Sequence, residues 1–164
     1  MKTGGLVCLV VILAIVSAIT VSGCLSSGGG GNEQRTATLV VDFNGSGGQI
    51  NPGNKTIWTK VGNVWNSESQ SNDGHTIWVF RNVTSGSKVL DLLEACSVIG
   101  GFEIAAKNYV GMGTFVEAID QVHNEMPGRG WQYDVNRQYA NQACNIYALN
   151  DQDVVTWVFA DMPW

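Results

Sequence analysis

The chain has 164 residues, 45% of them apolar and 14% charged, with 20 glycines, 3 prolines and a formal net charge of −5. That length accommodates one folded domain and not two. The nine basic residues lie singly along the chain, whereas phosphate neutralisation needs them clustered on one face, so a nucleic-acid partner is excluded.

The N-terminus reads as an export signal: Lys2 supplies the positive charge, residues 6–20 the apolar stretch, and Val21-Ser-Gly-Cys24 the small residues before a cysteine. This last group resembles the cleavage box of prokaryotic lipoproteins, in which the cysteine thiol, here Cys24, carries the lipid. An uncleaved anchor helix is the alternative, but a span needs roughly 20 apolar residues and this run is shorter. Both readings place the folded part outside the cytoplasm, held at the membrane. On this division residues 1–23 are the signal, residues 24–35 a Gly-rich tether unable to bury a core, and residues 36–164 the domain.

Residues 36–43 alternate, with Ala37, Leu39, Val41 and Phe43 on one face, which predicts a half-buried strand. Residues 56–61 and 76–80 are β-branched and aromatic runs able to form a hairpin, with residues 66–74 an exposed loop between them. Ser87 is placed to cap a helix that carries Val89, Leu92, Leu93 and Cys96 on one stripe and stops at Gly100-Gly101. Residues 102–106 alternate again, Gly111 and Gly113 suggest a bulge or a close backbone approach, and residues 131–136 and 154–159 close the domain as strands. One helix among several strands makes an α+β domain.

From residue 88 onward the order of motifs is distinctive. The helix Lys88-Val-Leu-Asp-Leu-Leu-Glu-Ala-Cys96 is followed by Tyr109-x-Gly-x-Gly-x-Phe, then Gly130-Trp-Gln-Tyr-Asp-Val-Asn136, then Tyr147-x-Leu-Asn-Asp-Gln-Asp153. This succession resembles the DUF4430 family, prokaryotic domains similar to the C-terminal domain of transcobalamin and intrinsic factor. The resemblance covers the last half of the chain and the first strand; residues 47–80 fall outside it as a candidate insertion. It implies a β-grasp-like sheet curled round the helix and a small-molecule ligand, with cobalamin or a related corrinoid the named candidate. Without the helical domain of the vertebrate proteins, a lone domain is expected to bind weakly or with a transporter or surface-protein partner. Two departures stand out: Arg137 replaces the glycine usual after Val-Asn, and Asp151-Gln-Asp153 replaces Asp-Gly-Asp, so the turn after Asn136 is expected to differ in shape.

Candidate ligand-binding residues are Trp131, Tyr133, Asn136 and Tyr139, which offer flat apolar area with polar tips, and Tyr109, Gly111, Met112 and Gly113, where backbone can approach a ligand. Trp131 and Tyr133 read equally as core, and the glycines as a structural bulge. Cys96 and Cys144 form either a disulfide or two buried thiols. Asn44, Asn54 and Asn82 each open an Asn-x-Ser/Thr sequon, a candidate glycosylation site on an outer surface. His75 and His123 read as exposed loop residues, and Asp42-Phe-Asn-Gly-Ser-Gly47 begins like a calcium loop but lacks the closing glutamate. No nucleophile elbow, zinc helix or phosphate loop is present, so no enzyme, cofactor or metal centre is expected. The competing reading to a ligand-binding lipoprotein is a surface adhesion or assembly module that docks protein or glycan on a flat aromatic face. A pocket would favour the first and a flat face the second.

Overall fold

The computed structural model describes residues 33–125 and 127–162; the expected signal, Cys24 and all but the last three residues of the tether lie outside them. Arg35, assigned to the tether, opens β1 (Arg35–Asp42), which buries Ala37, Leu39 and Val41 on one face as the alternation predicts. In chain order follow β2 (Asn54–Val61), β3 (Val64–Ser71), β4 (Ile77–Ser85), α1 (Val89–Gly100), β5 (Ile104–Tyr109) and β6 (Gly113–Ile119). The chain ends through β7 (Val122–His123), β8 (Arg129–Val135), β9 (Gln138–Tyr139) and β10 (Val154–Asp161). Two sheets result, one of seven strands in the order β3-β2-β4-β1-β10-β8-β9 and one of three in the order β5-β6-β7. One helix beside these strands gives the expected α+β class.

The large sheet owes its centre to β1, antiparallel to β4 on one side and parallel to β10 on the other. Its inner face collects Leu39, Val41, Trp78, Phe80, Val155, Trp157 and Phe159, and α1 lays Val89, Leu92, Leu93 and Cys96 against it. Each such side chain contributes roughly 1.5–3 kcal/mol on leaving water. Aromatic edges and faces interlock across the layer: Phe43 meets Trp78 at 4.6 Å and Trp131 at 5.3 Å, and Trp58 stacks on Phe80 at 4.2 Å.

Four local expectations are corrected. The expected loop at 66–74 is mostly β3, paired with β2 along its whole length. Its Asn, Ser and Gln side chains are exposed on both faces, so no alternation marks it; backbone pairing holds it, with Trp65 against the core and Ser69 Oγ bonded to Thr56 and Asn51. With β3 returning the chain, β2 and β4 run parallel instead of forming a hairpin. The residue at the helix N-cap is Lys88 and not Ser87: Asp91 Oδ2 accepts the Lys88 N–H at 2.9 Å, and the N–H groups of Val89 and Leu90 donate to the carbonyls of Tyr147 and Cys144. A loop backbone thus satisfies donors that a serine hydroxyl was expected to meet. The glycines at 111 and 113 shape a hairpin turn between β5 and β6, and the register shift lies instead at Ala105/Ala106.

Candidate functional site

The β8 inner face, the β6 wall and the segment 139–146 enclose a groove of about 970 Å³. Its floor is set by strand register: Tyr133 stands opposite Trp157 and Trp131 opposite Phe159, so alternate residues of two paired strands present large rings on one side. Trp131 is held by two bonds, its N–H donating to Asn124 Oδ1 and its Nε1–H to the Val122 carbonyl, both at 2.8 Å. Tyr133 donates its hydroxyl to the Gln142 carbonyl at 2.7 Å and lies 4.9 Å from the Trp157 ring. Burial, helped by the facing Cys144, Tyr147 and Tyr139, pushes the Tyr133 phenol well above its ordinary range, so it stays a neutral donor. These two residues are buried in the core and also line the groove.

The segment 139–146 is fastened on three sides. Asn145 Oδ1 accepts the Thr114 N–H at 2.7 Å, Cys144 Sγ donates to the Thr114 carbonyl at 3.1 Å, and Lys88 Nζ donates to the Ile146 carbonyl at 3.1 Å. Gly113, with φ +95°, makes this close approach: a Cβ there would sit 2.5 Å from the Ala143 Cβ. The expected close approach at Gly113 is therefore made to the protein's own chain. Gly111, also at positive φ, faces open space in the turn, where the Met112 N–H donates to the Tyr109 carbonyl.

Of the candidate ligand-binding residues, Tyr109, Met112, Trp131, Tyr133 and Tyr139 line the groove. Met112 and Tyr139 are 60% and 66% exposed, so both are free to meet an incoming molecule. Gly111, Gly113 and Asn136 do not line it. Asn136 is consumed by its own turn, donating from Nδ2 to Asp153 Oδ1 and accepting the Val154 N–H. The residues that sequence reasoning passed over are Phe115 and Glu117 on β6, Trp157 on β10, and Asn141, Gln142 and Ile146 on the fastened segment. Tyr109 links to that group, its hydroxyl donating to Glu117 Oε1 at 3.1 Å and its ring meeting Phe115 edge-on. The β6 alternation Phe115, Glu117 was the available signal; nothing in the sequence places 141–146 beside them. His123, expected in a loop, is exposed at the end of β7 on the groove margin, and His75 lies exposed in the turn before β4.

Cys96 and Cys144 are buried and free, so the disulfide alternative is not formed in this structure. Burial raises both thiols, Cys144 to about 11. Among the sequons, Asn44 spends its Nδ2 on the Phe159 carbonyl, Asn54 is half-buried at the start of β2, and Asn82 is exposed at φ +53°. Asp42 forms a turn, its Oδ1 accepting the Asn44 N–H. A second, smaller hollow of about 450 Å³ lies at the start of α1 beside Glu33, Asp91 and Glu94. Among the described residues no three His, Cys, Asp or Glu side chains are grouped to hold a metal ion.

No curated protein matches this chain. Among solved structures it is similar to a Ruminococcus gnavus ATCC 29149 protein proposed to bind metal, with a TM-score of 0.46 and 10% identity over 78% of this chain and 98% of that one. It is also similar to haptocorrin in complex with Cbi, with a TM-score of 0.46 and 14% identity over 84% of this chain; the chain spans 29% of haptocorrin. Residues 86–161 match the family model described as Domain of unknown function (DUF4430). That segment runs from the turn before α1 to the end of β10 and holds every groove-lining residue except Met162, so the likeness to that family lies in the part of the chain that builds the groove.

Proposed function

We propose that this chain is an extracytoplasmic binding protein, held at the membrane through Cys24, that takes a flat small molecule of the corrinoid class in the groove between β6 and β8. The observation that carries the reading is the groove itself: a concavity of about 970 Å³, at the upper end of the range of small-molecule sites, floored by Trp131, Tyr133 and Trp157. Tyr109, Phe115 and Tyr139 add ring faces at its sides, which suits a broad conjugated ligand. The resemblance of residues 88–153 to transcobalamin-like domains supplies the ligand class, and the sheet crossed by α1 is read as the β-grasp-like arrangement that resemblance implies. The export signal supports the location. Binding is the role assigned. The adhesion alternative requires a flat aromatic face, and concavity speaks against it.

The test is titration of the purified protein with cobalamin and with cobinamide, followed by tryptophan quenching and calorimetric heat. A saturable signal is expected. Its absence up to millimolar ligand overturns the corrinoid reading.

A further inference from the structure

The chemistry of the groove wall says more about its ligand than its size does. No lysine or arginine lines it, Lys88 Nζ is spent on the Ile146 carbonyl, His123 stands at the margin and Glu117 is the one carboxylate, so the wall itself holds no permanent positive charge for an anionic ligand. The nearest cation of β5, Lys107, lies over the Tyr109 ring at 5.2 Å and is not part of the lining. What the wall does offer are neutral donors and acceptors. Asn141 and Gln142 are exposed on the fastened segment, and their side-chain amides make no hydrogen bond among the described residues. At the floor Trp157 is 2% exposed, and its Nε1–H is a buried side-chain polar atom without a partner. Such an orphan donor lacks a hydrogen bond that a ligand acceptor would supply.

We propose that the groove selects a ring whose periphery carries carboxamides over one carrying carboxylates, through the free amides of Asn141 and Gln142 and the unpartnered indole N–H of Trp157. A primary amide pairs with another in both directions, donating and accepting, without bringing charge into a lining that holds no lysine or arginine. A carboxylate at the same place only accepts, and it must shed its hydration beside Glu117 with no counter-ion. The inference rests on the corrinoid reading above.

The experiment compares cobinamide with cobyrinic acid, the same ring with carboxylates in place of amides, by calorimetric titration of the full chain in detergent micelles. Cobinamide is expected to bind at least tenfold more tightly, and Gln142→Lys is expected to narrow the gap by strengthening the acid. Equal or tighter binding of cobyrinic acid overturns the selectivity while leaving the corrinoid reading intact. Binding of neither ring overturns the corrinoid reading itself. Trp157→Phe keeps the ring and removes only the N–H: a several-fold loss of cobinamide affinity at unchanged melting temperature is expected, and unchanged affinity would remove Trp157 from the recognition set.

Discussion

Asn136 and Arg137 take φ +54° and +66° in succession, so the two-residue loop between β8 and β9 keeps the left-handed pair that Asn-Gly ordinarily supplies. The departure at Arg137 changes the cost of the turn and not its shape, because Val135 and Gln138 still pair across it. Arg137→Gly is therefore expected to stabilise the protein by about 1 kcal/mol, seen as a rise of a few degrees in melting temperature. The buried thiols give a second prediction at this scale. Cys144 is raised to about 11 from an ordinary 9, and Cys96 is raised further by burial. The unfolded chain thus releases these protons first, so stability is full below pH 9 and falls as pH rises towards 11. Denaturant melts at pH 7, 9 and 10.5 should show that decline, and neither thiol should react with an aromatic disulfide reagent at pH 8 until the domain unfolds.

The β5–β6 hairpin holds two glycines with opposite prospects. At Gly113 a methyl group meets the Ala143 Cβ and Asn145 Oδ1, so Gly113→Ala must push the segment 139–146 off β6, at a cost of roughly 2–4 kcal/mol. At Gly111 the same change meets open space and pays only the left-handed backbone penalty, about 1 kcal/mol. Chemical denaturation of the two variants separates these costs; equal losses would show that Gly113 is not the contact that seats the segment. Elements of this kind divide what a sequence reveals from what it hides. α1, β1, β8 and β10 are legible because each buries one face, and burial writes a period into the residues. β3 hides because all of it but Trp65 is wet on both faces, and the fastened segment hides because its carbonyls at Gln142, Cys144 and Ile146 accept from Tyr133, Leu90 and Lys88 without leaving a mark on residue type. Tyr109, Met112, Trp131, Tyr133 and Tyr139 were for this reason readable in advance as lining, and the part contributed by 141–146 was not.

For the molecule as a whole, the segment that matches the family model is less than the unit that folds. Residues 86–161 include α1 and β10 but omit β4 and β1, the strands against which α1 packs and between which the sheet is continuous. A fragment of those residues would expose the inner face of α1 and an unpaired edge of β10. It is expected to be unfolded or aggregated by circular dichroism and size-exclusion chromatography, whereas residues 33–164 should melt cooperatively. Residues 54–71 are a different matter. They add β2 and β3 at the far edge from the groove, and their Thr56 and Trp58 complete the core under Phe80.

The parallel pairing of the first strand with the last also bears on timing. The partner that β1 needs on one flank is made after every other strand of the sheet, so the sheet cannot close before β10 has been synthesised. Closing it joins residues more than a hundred positions apart, a contact order that slows folding well below the pace of local helices and hairpins. Until that strand arrives one edge of β1 stays unpaired, which leaves the unfinished sheet open to pairing with a strand of another chain.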